Sequence, residues 1–180
     1  MNSDSRLTAE DLFRRLDNLG IAHSTVDHPP LFTVQQSREL RGELPGAHVK
    51  NLFLRNKKGR MWLLTCLEDR EIDLKSLRGE LGTSSLSFVS PDRLMQYLGV
   101  IPGAVSPFGV VNDSECEVQV VLDSTLMEMD PLNFHPLDNS RTTAVSADGL
   151  LRFLESTGHP PKFINFNNPQ TGDSIPIYAR

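Results

Sequence analysis

Two apolar runs, Val49 to Arg55 and Met61 to Leu67, are separated by the polar turn Asn56-Lys57-Lys58-Gly59. Apolar runs of strand length around such a turn predict a β-hairpin. Their hydrophobicity is nearly continuous rather than alternating, so both faces of the hairpin are expected to be buried. Any fold for this chain must therefore cover a sheet from two sides.

Helices to do so are well signed. Thr8 is an N-cap for Ala9 to Leu19, Asp11 favours the positive helix end, and Leu7 and Leu12 sit at the positions of a hydrophobic staple. Leu12, Leu16 and Leu19 form an apolar stripe, and Gly20 ends the helix. Thr33 and Gln36 make a capping-box pattern for a second helix ending near Gly42. Further helices are expected over Asp73 to Leu81, from Ser90-Pro91 to Gly99, and over Ala147 to Thr157 behind Ser146, with Val145 and Leu150 as a staple. Strands are expected over Ile21 to Asp27 (closed by His28-Pro29-Pro30), Met129 to His135, Thr142 to Val145 and Lys162 to Phe166. Cys116 to Leu122 alternates like a half-buried strand. Gly99 to Gly109 reads as an ordered loop. Strands and helices mix without regular βαβ order. The expected class is α/β, with a mixed, barrel-like β-sheet and flanking helices.

The 180 residues fit one domain, 1–180, with a polar tail at 167–180. A net charge of −5 argues against holding nucleic acid by charge alone, so any such contact must use a local basic patch. No apolar run is long enough for a membrane span, and the polar N-terminus carries no secretory pattern. Cys66 and Cys116 are too few for a disulfide framework, and each sits in an apolar run where buried free thiols are common. The expected location is cytoplasmic. Phosphate-loop, dinucleotide and nucleophile-elbow motifs are absent. The spacing of the histidines and cysteines does not suit zinc, so neither metal nor cofactor is expected.

Five features remain. Lys50 lies in an apolar run; it is either a strand-end lysine reaching for solvent or a cation aimed into a cleft. Asn51 follows on the opposite strand face, where a buried amide often bonds backbone. Gly103-Ala104-Val105-Ser106-Pro107 is either a tight structural turn or a loop offering backbone N–H groups to a carbonyl oxygen. His135, between Phe134 and Pro136, is either a satisfied structural group or a pocket histidine. Arg55, Lys57, Lys58 and Arg60 surround the hairpin turn, as a solvated tip or a phosphate contact.

The ordered set resembles the YbaK-like aminoacyl-tRNA deacylase family: His28-Pro29-Pro30 with Thr33, Val49-Lys50-Asn51-Leu52-Phe53-Leu54, Gly103 to Pro107, then Asn133-Phe134-His135-Pro136. It is most similar to the freestanding bacterial prolyl-tRNA editing type, over about residues 5–167. The resemblance implies a curved, barrel-like sheet and hydrolysis of the ester joining an amino acid to the terminal ribose of tRNA. It assigns Lys50, His135 and Gly103 to catalysis, and Asn51, Ala104, Val105, Ser106, Pro107 and Thr33 to substrate binding. Leu31, Phe32 and Val34 join Thr33 as pocket-lining candidates. The implied substrate is alanyl-tRNA(Pro), and the implied partner is the tRNA acceptor end. Prolyl-tRNA synthetase and an elongation factor are candidate protein partners. A cysteinyl-tRNA(Pro) deacylase and a non-enzymatic tRNA- or synthetase-binding module are the alternatives. Glu68, Asp69 and Asp113 are acidic residues that nothing in the sequence ranks as a general base.

Overall fold

A computed structural model describes residues 5–30, 35, 36, 39 and 44–167. The helix expected from Thr33, the pocket candidates Leu31 to Val34 and the tail beyond Asn167 lie outside the described residues, except that Gln35, Gln36 and Glu39 are helical. The hairpin forms as expected: β2 (Val49–Arg55) and β3 (Met61–Leu67) pair antiparallel over their whole length, from Val49↔Leu67 to Arg55↔Met61. Around it stand β1 (His23–Asp27), β4 (Ser87–Phe88), β5 (Val118–Asp123), β6 (Leu132–Phe134), β7 (Arg141–Val145) and β8 (Lys162–Ile164). The helices are α1 (Ala9–Asn18), α2 (Leu74–Glu80), α3 (Pro91–Leu98) and α4 (Ala147–Ser156), with 3-10 turns at Pro107–Asn112 and Ser124–Glu128.

The strands form two open sheets. One is mixed, in the order β4-β2-β3-β5-β8, with β3, β5 and β8 parallel; the other is antiparallel, in the order β1-β7-β6. Neither closes on itself, so the α/β class holds while the barrel-like sheet is not seen among the described residues. A parallel bridge, Ala47↔Leu132, links the segment before β2 to β6 of the other sheet.

Strand alternation sorts the core. Phe53, Met61, Leu63, Val118, Val120 and Leu122 pack in the larger cluster, together with residues of α1, α3 and α4. Leu54, Trp62, Leu64, Val121 and Ile164 face the other way, against Leu77 of α2. Thus β5 is buried on both faces rather than half-buried as its alternation suggested. Its ladder starts only at Val118, which leaves Cys116 in a turn at φ 54°, exposed, in contrast to the buried Cys66.

The caps explain the helix ends. Thr8 and Asp11 close a full capping box, and Ser90, Ser146 and Asp73 each accept an amide of the first turn. Strand β6 is shorter than expected because the Met129 amide donates back to Leu126 O of the preceding 3-10 turn and Pro131 has no N–H for a ladder. Strand β8 ends at Ile164, where the Asn165 side chain accepts the Asn167 amide in a turn. The last three residues of the 99–109 loop open a 3-10 helix, with Pro107 at its first position.

Candidate functional site

His135 directly follows β6. Its Nδ1–H donates to the Arg141 carbonyl at 2.8 Å, which fixes the tautomer and leaves Nε2 as an acceptor when the ring is neutral. Burial pushes its pKa below 6.5; nearby His28 pushes the same way, while the Arg141 carbonyl and Asp138 oppose both. The ring centroid of His28 lies 6.0 Å away. His28 donates from Nδ1 to the Pro29 carbonyl (2.9 Å), and its Nε2 meets the Thr142 hydroxyl at 2.8 Å. The sequence marks His28 as a strand end and as part of the His28-Pro29-Pro30 motif; no spacing announces that the two histidines meet.

The 103–107 loop reaches this place. Gly103 adopts φ 93°, a conformation that suits glycine. The Ala104 amide donates to Ile101 O at 3.1 Å, so any oxyanion binding here rests on the loop's other N–H groups. Ala104, Ser106 and Pro107 are buried and Val105 is half-buried. The Ser106 hydroxyl donates to the His135 carbonyl at 2.7 Å, so loop and histidine are held together.

Lys50 and Asn51 are adjacent on β2 and project to opposite faces. Asn51 accepts from the Thr65 hydroxyl across the hairpin at 2.7 Å, on the face of the larger cluster. The Lys50 ammonium donates to the Arg70 carbonyl on the other face, beside Cys66. Burial pushes the Cys66 thiol up to about 11 against the pull of that ammonium. Among the described residues no hydrogen bond joins Lys50 to His135 or to the 103–107 loop.

What ties the two halves is Asn133. Its Nδ2 donates to Pro45 O (2.9 Å) and Ala47 O (3.2 Å), just before Lys50, while its own strand runs into His135. Gly46, inside that clamp, has φ 101°, and a Cβ there would sit 2.3 Å from the Pro131 carbonyl oxygen.

A cleft of about 760 Å³ opens where the parallel strands β3, β5 and β8 end, and Glu68, Asp69, Arg70, Ile72, Met129 and Phe166 are among its walls. Ligands favour the carboxyl ends of parallel strands. At its base Arg70 Nε donates to the fully buried Asp123 (2.8 Å), and its terminal nitrogens reach Thr125 (2.8 Å) and Asn167 (2.7 Å). This pair was not anticipated; its only sequence trace is an acid ending the apolar run of β5. Glu68 and Asp69 line the cleft, whereas Asp113 is buried in a pair with His159 (2.9 Å) and accepts the Val118 amide (2.8 Å). No three His, Cys, Asp or Glu residues among those described are grouped to hold a metal, and no described helix is long and apolar enough to cross a membrane.

The sequence has clear relatives. A family described as "Aminoacyl-tRNA editing domain" matches residues 28–153. A prolyl-tRNA editing protein, ProX, of Acetoanaerobium sticklandii is 41% identical over 151 residues, covering 83% of this chain and 92% of that protein. A mouse prolyl-tRNA synthetase associated domain-containing protein is 38% identical, covering 91% of this chain and 98% of its own. Among crystal structures, a candidate trans-editing enzyme for prolyl tRNA synthetase aligns with a TM-score of 0.67 at 19% identity, over 89% of this chain and 98% of that one, a likeness of fold.

Proposed function

For this chain, which belongs to the aminoacyl-tRNA editing domain family, we propose the hydrolysis of alanyl-tRNA(Pro) as a freestanding editing deacylase. The observation that carries the reading is His135: a ring kept neutral by burial, locked by the Arg141 carbonyl, with Nε2 left as the acceptor nitrogen. An aminoacyl ester is activated and needs no metal or covalent nucleophile. Water attacks the carbonyl carbon, the bond from that carbon to the ribose oxygen breaks, and a proton passes to the ribose oxygen. Free alanine and an uncharged tRNA hydroxyl result.

In this reading His135 Nε2 accepts a hydrogen bond from the attacking water or from a ribose hydroxyl. Backbone N–H groups of the Gly103 to Pro107 loop orient the aminoacyl carbonyl and stabilise the charge that develops on its oxygen. Lys50 holds its ammonium on a flexible stem, so it can leave the Arg70 carbonyl for an anionic oxygen of the substrate. Asn51, fixed by Thr65, and Thr33 complete the binding set. Proline is rejected by volume, because a packed wall penalises extra atoms. Glycine and serine are rejected less well, since a methyl or hydroxyl changes little.

The test is amino-acid release from alanyl-, cysteinyl- and prolyl-tRNA(Pro) by wild type and Lys50→Ala. The expected result is release of alanine but not proline, lost in a folded Lys50→Ala. Preference for cysteine would shift the substrate assignment. Release from none of the three would leave only a binding module.

A further inference from the structure

The hairpin tip is a part of the molecule that this function leaves unused. We infer that it is a second contact for the substrate, gripping the phosphate backbone of the tRNA acceptor stem; the inference rests on the deacylase reading above. Arg55, Lys57, Lys58 and Arg60 put four positive charges into six residues of a chain whose net charge is −5. Lys57, Lys58 and Arg60 are exposed. Arg78, at the end of α2, joins them by donating to Ser84 O at 3.2 Å, next to Ser85, whose hydroxyl accepts the Lys57 amide at 3.1 Å. None of these five cations forms an ion pair among the described residues. Glu117 shares a shallow recess with Arg60 but does not pair with it.

The tip is also built rather than merely solvated. Asn56 is buried at its centre. Its Oδ1 accepts the Lys58 amide (3.0 Å) and the Arg60 amide (2.9 Å), and its Nδ2 donates to the Thr83 hydroxyl (3.1 Å). That arrangement holds the lysines at fixed spacing, which lowers the entropy lost on binding. Beside them Phe88 is 62% exposed. It pairs with Leu54, which also pairs with Trp62, and the Arg60 guanidinium lies 5.2 Å over the Trp62 ring. Cations and an exposed ring therefore lie close together around the hairpin tip, a combination suited to RNA.

The placement fits a substrate that enters end first. Lys50 is the second residue of β2 and Arg55 its last, five residues and about 17 Å apart. With the aminoacylated end near Lys50, the tip meets the polynucleotide beyond its single-stranded terminus. It would read charge rather than sequence.

The test titrates labelled, uncharged tRNA(Pro) with wild type, with Lys57→Ala/Lys58→Ala, and with the charge-matched Lys75→Ala/Lys162→Ala, at several salt concentrations. Each phosphate contact contributes roughly one unit to the slope of log affinity against log salt. The tip variant should lower that slope by about 2, so that its deficit shrinks about 10-fold between 50 and 200 mM salt. The charge-matched control should follow wild type. Equal slopes for wild type and the tip variant, or an equal loss in the control, would overturn the tip contact. Alanine release by wild type is read separately. Tip-dependent binding without release would sink the deacylase reading alone, and release with equal slopes would sink the tip alone.

Discussion

Asn133 offers the sharpest test of how the fold builds the site. Its amide donates to two carbonyls, Pro45 O and Ala47 O, and thereby joins the start of β2 to the strand that ends at His135. Asn133→Ala removes both bonds while the backbone bond from Asn133 N to Ala47 O (3.3 Å) survives. At about 1 kcal/mol per bond the loss is about 2 kcal/mol. For a domain of this size that is roughly a 4–8 °C fall in Tm. Asn133→Asp keeps the shape but replaces a donor with a carboxylate oxygen facing two carbonyl oxygens. It should be worse than alanine by at least about 2 kcal/mol, because a buried charge is left without a donor. Its pH dependence carries a sign. Burial against carbonyls raises the folded-state pKa of the new carboxyl, so the folded state binds the proton more tightly. The penalty is full above that pKa and shrinks as pH falls through it, once an O–H can donate again. Thermal melts of the three proteins between pH 4 and 8 read both effects. Asn133→Asp as stable as wild type at pH 7, or more stable than Asn133→Ala, would refute the view that this amide clamps the two sheets.

The remaining predictions concern single groups. The pKa of His135 lies below 6.5, so kcat/KM for deacylation should stay flat through neutral pH and drop only on the acid side of 6.5; a midpoint at or above 6.5 contradicts it. The same depression affects folding, because an unfolded His takes up its proton near pH 6.5 and the folded one does not. That contribution to stability is complete above 6.5 and declines below it. Gly46→Ala should destabilise by at least about 3 kcal/mol, from its positive φ and the clash with Pro131, as urea melts would register. Cys116 is exposed and the Cys66 thiol is pushed up to about 11, so a thiol reagent at pH 8 should titrate one cysteine quickly and the second only after denaturation.

Local signals carried much of the fold. The hairpin, the capped helices and the helix-ending Gly99 depend on neighbours within a few residues, so the sequence displays their causes. The errors came where distant contacts decide. Pro131 and a 3-10 turn shortened β6. Alternation in 116–122 suggested one wet face, but α2 and Trp62 build a second cluster that covers it. A sheet's closure is likewise a matter of long-range pairing, and among the described residues the two open sheets meet at the Ala47↔Leu132 bridge and the Asn133 side-chain bonds beside it.

The sequence offers the candidate residues as residue types and not as geometry, for a reason the strand itself supplies. Side chains alternate along a strand, so a motif of two adjacent polar residues must split between two faces. Asn51 goes to the face of the larger cluster and bonds Thr65, while Lys50 goes to the face of the cleft and bonds the Arg70 carbonyl. The pair can serve one substrate only from a strand end, where a lysine's long stem can cross between faces. Lys50 is the second residue of β2, and the clamp from Asn133 fixes the segment just before it. A lysine in the middle of the strand would be trapped beneath α2. In the proposed reaction the position of Lys50 counts as much as its charge, so moving it two residues inward by a Lys50→Leu/Leu52→Lys exchange should abolish deacylation even though composition and face are unchanged.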